Sequence, residues 1–185
     1  MSKPKILFQL SGSIACYKAC TVISQLAQNG FEVKTAITPA ALEFIGRSTL
    51  EGLSGHPVLV DIYENNRAMD HIHLSKWADL SILCPATAST LNKLANGIGD
   101  DAIGALFLSY DLREKPYWIA PAMNHKMLLH PATQSSMLRL ESWGIKILSP
   151  GSGHQACGDE GPGRLMEPDK IYGEIVAHFQ RKTPS

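Results

Sequence analysis

Cys157 stands among Gly151, Gly153, Gly158, Gly161 and Gly163, in a stretch with too few apolar side chains to shelter a thiol in a core. Glycine allows unusual backbone angles and close approach to a ligand, so a cysteine carried there suits a mobile flap whose sulfur exchanges a proton. An incidental exposed cysteine has the same local signature. His71 and His73 lie two apart in Asp70-His71-Ile72-His73-Leu74. On an extended segment both imidazoles share one face, as a zinc pair or an acid–base group would require. No second cluster supplies ligands at recognisable spacing, so no metal is expected, and each histidine is equally a hydrogen-bonded structural residue. Asn124 closes Pro121-Ala122-Met123-Asn124, directly after an apolar run. Its amide offers two donors and an acceptor to a ligand, or a cap to the next helix.

Anion chemistry gathers elsewhere in the chain. Leu10-Ser11-Gly12-Ser13-Ile14-Ala15 joins an apolar run to a helical pattern, so backbone N–H groups, hydroxyls and a positive helix end can face a phosphate. The segment lacks GxGxxG and is not a P-loop, which favours a mononucleotide such as FMN over a dinucleotide; an ordinary turn is the plain alternative. Thr38 and Thr87-Ala88-Ser89-Thr90 follow other strand-like runs and are either phosphate and ribityl partners or helix caps.

The elements that must position these groups alternate between short apolar runs and helical patterns. That grammar predicts a three-layer, doubly wound α/β fold, Rossmann-like or flavodoxin-like, with six mostly parallel strands near 5–10, 31–37, 57–63, 79–84, 116–120 and 145–149. Helices are expected after Ser13 up to Asn29-Gly30, from Thr38-Pro39, from Ser48 with Glu51 as a capping box, over 86–96, from Asp100-Asp101 to Tyr110, over 131–143 and over 168–180. The stretch 150–163 reads as a functional loop. Ligands of such sheets bind beyond the carboxyl ends of the strands, where the candidate loops converge.

The chain of 185 residues suits one domain, 1–185, with no room for a second catalytic unit. Seventeen basic and seventeen acidic side chains cancel without long charge runs, which argues against nucleic acid or a polybasic membrane surface and for a small molecule or another copy as partner. Neither a signal peptide nor a bilayer-length apolar run is present, and the four cysteines form no disulfide-like framework; the expectation is a cytoplasmic protein with free thiols.

Five collinear motifs then carry a resemblance: SGSIACYK at 11–18, HIHLSKWAD at 71–79, PATASTLNKLANG at 85–97, PAMN at 121–124 and ACGDEGPGR at 156–164. Together they resemble the homo-oligomeric flavin-containing cysteine decarboxylases, and among them the branch acting on phosphopantothenoylcysteine in coenzyme A biosynthesis. The resemblance implies FMN-dependent conversion of 4'-phosphopantothenoylcysteine to 4'-phosphopantetheine, through oxidation of the thiol-bearing carbon to a thioaldehyde, decarboxylation to an enethiolate and re-reduction. It makes His71 the histidine of the oxidative half and Cys157 the proton donor of the reductive half. Asn124 would hold the substrate carboxylate, with Lys18, Met123, Met127 and Arg164 also on the substrate side. Gly12, Ser13, Ile14, Thr38, Pro85, Ala86, Thr87, Ala88, Ser89 and Ala122 would line FMN. Ser89 stands where some relatives carry asparagine, and Leu128 where many carry an aromatic residue. The resemblance also implies a homotrimer or dodecamer with His71 near a subunit boundary. Many members continue into a synthetase domain, so decarboxylation alone is expected of these 185 residues. A lantibiotic-type peptidyl-cysteine decarboxylase, which stops at the enethiol, and a non-catalytic FMN-binding regulator are the rival readings.

Overall fold

The first strand, β1 (Lys5–Leu10), buries every residue after Lys5. Such a strand has no solvent face, so helices must cover it on both sides. The computed structural model, which describes residues 3–64, 67–154 and 158–182, shows how they do so. In chain order the elements are β1, α1 (Cys16–Gln28), β2 (Glu32–Ile37), a 3-10 turn (Pro39–Glu43), α2 (Arg47–Ser54), α3 (Asp70–Trp77) and β3 (Leu80–Ala86). There follow α4 (Ala88–Ala95), α5 (Ala102–Leu108), β4 (Tyr117–Pro121), α6 (His125–Leu129), α7 (Pro131–Ser142), β5 (Lys146–Ile147), β6 (Gly151–His154), β7 (Glu160–Arg164) and α8 (Pro168–Lys182).

The main sheet is parallel in the order β2-β1-β3-β4-β5. This is the flavodoxin-like order, which reverses at β1/β3 and opens a crevice there. Side chains alternate across it. Ile6, Phe8 and Leu10 pack with Val22, Ile23, Leu26, Ile171 and Ile175 beneath α1 and α8, whereas Leu7, Leu83 and Ile119 pack with Leu91, Ile103 and Leu106 beneath α4 and α5. Inside the sheet, Gln9 Nε2 donates to Ser81 Oγ at 2.6 Å and Tyr117 Oη donates to Gln9 Oε1 at 3.1 Å. These buried bonds tie β1, β3 and β4 together through polar groups that would be costly to leave unpaired.

The doubly wound fold is as expected, but the sheet has five strands, not six. Residues 57–63 touch it only at one bridge, Ala36 to Leu59. Pro57 donates no backbone hydrogen bond, and Asp61 already turns the chain by accepting from the Tyr63 N–H at 2.8 Å. Ser48 does not cap α2: Gly46 precedes the helix, and Glu51 accepts from the Val58 N–H instead. The Asp70–Leu74 segment is helical, so His71 and His73 point to well-separated sides of α3 and the extended pair does not exist. The glycine-rich stretch is no plain loop either: β6 and β7 form an antiparallel hairpin. Gly153, Gly161 and Gly163 have φ of 137°, 154° and 128°, backbone conformations in which a strand pattern cannot be read from side-chain alternation.

Candidate active site

Beyond the carboxyl ends of β1, β3 and β4 lies a cavity of about 520 Å³. Three loops and the hairpin build it. The β1–α1 loop contributes Gly12, Ser13 and Ile14, and the first turn of α1 adds Tyr17 and Lys18. Ser13 Oγ accepts from the Ala15 N–H at 3.2 Å, which folds the loop into the start of the helix. Gly12 is pressed on the 3-10 turn so closely that a Cβ there would lie 2.8 Å from Ala40 Cβ and 2.9 Å from its carbonyl oxygen.

The β3–α4 connection contributes Thr87 and Ala88. Thr87 caps α4 by accepting from the Thr90 N–H at 3.3 Å. Buried Ser11 clamps the two loops, donating to the Pro85 carbonyl at 2.8 Å and accepting from the Thr87 N–H at 2.8 Å. The crevice therefore has a floor fixed by hydrogen bonds rather than by packing alone.

After β4 come Ala122, Met123, Asn124 and Met127. Asn124 Oδ1 accepts from the Lys126 N–H at 2.8 Å, capping α6, while its Nδ2 donates to Asp159 at 3.0 Å. The helix-cap reading of Asn124 applies, and the cap orients its amide at the cavity wall. Asp159 Oδ2 also lies 3.8 Å from His125 Nδ1. The hairpin closes the far side with His154, Gly163, Arg164 and Leu165. Its β7 edge is pinned where the Met123 N–H donates to the Gly163 carbonyl at 2.9 Å and where Gly161 faces the His125 ring.

Of the sequence-derived residues, Gly12, Ser13, Ile14, Lys18, Thr87, Ala88, Ala122, Met123, Asn124, Met127 and Arg164 converge on this cavity. Thr38, Pro85, Ala86, Ser89 and His71 are not among its lining. Pro85 and Ala86 act through their carbonyls, which bind Ser11 and the Ala122 N–H. Thr38 follows β2 at the start of the 3-10 turn, with Oγ1 buried and without a partner among the described residues. Ser89 is exposed on α4. His71 sits in the first turn of α3, where its carbonyl accepts from Ser109 Oγ at 3.2 Å and its Nδ1 is buried without a partner among the described residues. Cys157 falls outside the described residues; it belongs between His154 and Glu160, the facing ends of the hairpin strands.

Sequence reasoning passed over Tyr17, Phe44 and His154, which line the cavity, and Asp159, which holds the Asn124 amide. Tyr17 shares the helix turn of Lys18, and Asp159 lies inside the quoted glycine motif, so both were within reach. Phe44 enters only because the 3-10 turn folds over Gly12. Burial raises the pKa of Cys16 and Cys84, and burial together with the neighbouring Cys16 raises Cys20 to about 11, so the described thiols are not activated as thiolates. A thiol that stays protonated at neutral pH is a poor nucleophile.

Fold and crevice define an open α/β domain with a cleft suited to a mononucleotide at the point where strand order reverses. The model of the Flavoprotein family matches residues 1–180, and the chain belongs to that family. It is 41% identical over 180 residues to the coenzyme A biosynthesis bifunctional protein CoaBC of Vibrio vulnificus strain YJ016, covering 96% of this chain and 44% of that protein. The chain thus spans less than half of the bifunctional relatives it matches. Among solved structures, a cysteine-to-serine mutant of a PPC decarboxylase complexed with pantothenoylaminoethenethiol superposes with a TM-score of 0.84 and 30% identity, covering 96% of this chain and 99% of that one. The FMN binding protein AtHal3 superposes at 0.83 with 29% identity, covering 98% of this chain and all of that one.

Proposed function

We propose that the chain is an FMN-dependent phosphopantothenoylcysteine decarboxylase, converting 4'-phosphopantothenoylcysteine to 4'-phosphopantetheine and carbon dioxide. The observation that carries this reading is the single cavity onto which the β1–α1 loop, the Asn124 loop and the hairpin flanking Cys157 all open. Similarity to a decarboxylase of that substrate across almost the whole of both chains supports it.

The residues fit FMN. Gly12 lets the β1–α1 loop close against the 3-10 turn at the cavity wall, Thr38 holds a buried hydroxyl in want of a partner at the same sheet edge, and Thr87 and Ala88 open a helix toward the cleft. Apolar Ile14, Phe44 and Met127, exposed by 61, 47 and 49%, offer surface to a flat ring. When bound, FMN would supply a reversible two-electron sink for the thiol-bearing carbon, which a cysteinyl nitrogen held in an amide cannot obtain from a Schiff base. Asn124 would hold the carboxylate with its amide, fixed in direction by the Lys126 cap and by Asp159. His71 would serve the oxidative half and Cys157 would protonate the enethiolate carbon.

Since His71 lies outside the cavity lining of its own chain, the reading calls for a homo-oligomer, a trimer or a dodecamer, in which a neighbour completes the site. Met69 and Leu108, beside His71 and Ser109, are 55 and 56% exposed, as an interface would require. A cytoplasmic location follows from the same reading; among the described residues no helix is long and apolar enough to cross a membrane.

Incubating the FMN-loaded protein with 4'-phosphopantothenoylcysteine and weighing the products tests the assignment. Loss of carbon dioxide alone is expected; loss of carbon dioxide with two hydrogens would move the chain to the enethiol-forming enzymes. A second test addresses the cofactor. Gly12→Ala should weaken FMN binding by about tenfold or more, because a Cβ meets backbone as well as the Ala40 methyl and the loop must shift. Flavin fluorescence quenching on titration of the apoprotein reads this directly, and an unchanged affinity would remove Gly12 from the flavin site.

A further inference from the structure

Lys18 and Arg164 reach the cavity from different elements, the first turn of α1 and the end of β7, and a single carboxylate serves both. Glu167 accepts from Lys18 Nζ through both oxygens, at 2.9 and 3.0 Å, whereas the Arg164 guanidinium comes only within 3.6 Å of Oε1. Two cations facing one anion leave a surplus positive charge on the wall of a cavity in a chain that is neutral as a whole. Exposure differs across the group: the Lys18 side chain is 15% exposed and Glu167 is 55% exposed. The cation is held in place while its carboxylate partner remains wet. Hydrogen bonding from Lys18 keeps the Glu167 carboxyl below its usual range, so it is an ionised occupant at neutral pH.

We propose that Lys18 and Arg164 form a phosphate-monoester subsite at the cavity wall, and that Glu167 fills it as an internal counter-ion which the incoming phosphate displaces. The inference rests on the reading of the cavity as the site of a phosphorylated cysteinyl substrate, and it assigns the phosphate of that substrate, not of the flavin, to this corner. A phosphate monoester near neutral pH carries close to two negative charges and three acceptor oxygens, enough to satisfy the ammonium and the guanidinium together. The carboxylate satisfies one and leaves the other out of hydrogen-bond range. A half-exposed ion pair is weakly held, so exchange is easy. Glu167 thereby competes with the phosphate for the two cations, so it lowers the affinity for the phosphorylated substrate and leaves that for an unphosphorylated one untouched. Its structural duty is separate, because it is the backbone carbonyl that accepts from the Lys170 and Ile171 N–H groups at the start of α8.

Glu167→Gln tests this while preserving shape. In FMN-loaded protein, inorganic phosphate titrated by phosphorus NMR at low ionic strength should bind about two- to fivefold more tightly to Glu167→Gln than to the unaltered chain, and adding Lys18→Met should abolish the gain. Equal binding in both proteins would overturn the proposal. So would a phosphate site that exists in apoprotein and vanishes once FMN is bound, since that places the two cations at the flavin phosphate. In turnover, Glu167→Gln should reach half-saturation at a lower concentration of the phosphorylated substrate, with its half-saturation by unphosphorylated pantothenoylcysteine unaltered; parallel changes for both compounds would contradict the subsite. Should the unaltered protein turn over neither compound, the proposed reaction fails, and the phosphate titration still decides the role of Lys18, Arg164 and Glu167.

Discussion

Replacing Cys157 by serine is expected to leave FMN binding and carbon dioxide release intact while lowering the formation of 4'-phosphopantetheine by at least about a hundredfold, the usual worth of a positioned proton donor. On the proposed reading the thiol is the acid that the enethiolate carbon needs, and a serine hydroxyl is far too weak an acid to replace it. No described cysteine can substitute. Cys16 and Cys84 are buried, Cys84 on β3 and Cys16 donating to the Ser11 carbonyl at 3.4 Å, and Cys20 lies further along α1. The position of Cys157 between His154 and Glu160 also matters, because the flanking strands are fastened to the rest of the site through Met123 to Gly163 and through Gly161 against His125. Serine differs from cysteine only in the atom that carries the proton, so the substitution tests the proposed acid with little change of shape. Single-turnover incubation followed by mass spectrometry should find the product short of two hydrogens accumulating in step with carbon dioxide. Undiminished yield of the saturated thiol from Cys157→Ser would remove the cysteine from the reaction.

How far the sequence anticipates this site depends on what each signal measures. The β1–α1 loop and Asn124 are legible because local composition and strand-end position determine where they emerge, and the parallel sheet then brings all strand ends to one edge, whereas Arg164, on the separate hairpin, is reached only through the family resemblance. The histidine pair misleads because a spacing of two has meaning only once the backbone is known. Residues 70–77 have weak amphipathic patterning, and Asp70 paired with Arg67 at 2.8 Å helps start a helix where none is expected. Residues 57–63 look like a strand by apolarity, yet strand membership also demands a ladder partner, and only Leu59 finds one. The hairpin is invisible for a different reason: its strand glycines satisfy backbone geometry that side-chain patterns do not report. Glu167 belongs to the same class of omission, since its pairing with Lys18 spans 149 positions and nothing local announces it.

The second large effect concerns His71, where the expected result of His71→Asn is loss of carbon dioxide release by about a hundredfold or more with the flavin retained. Flavin retention follows from position, because the residue contributes nothing to the cavity lining of its own chain. Asparagine keeps a polar side chain in the first turn of α3, and the bond from Ser109 to the residue 71 carbonyl does not depend on the side chain at 71. A structural histidine would lose stability on this change and little activity once folded; a histidine of the oxidative half would lose activity at unchanged melting temperature. Subunit exchange separates the two remaining possibilities for where it acts. Mixing His71→Asn with Asn124→Ala, each inactive alone, restores a fraction of the sites if an oligomer builds each site from the histidine of one copy and the asparagine of the next. Carbon dioxide evolution in the mixture, against none in either parent, is the expected outcome. A mixture as silent as its parents, after exchange is verified with tagged subunits, would mean that His71 must reach the cavity of its own chain by moving α3, and a His71→Asn variant with full turnover would end its catalytic assignment altogether.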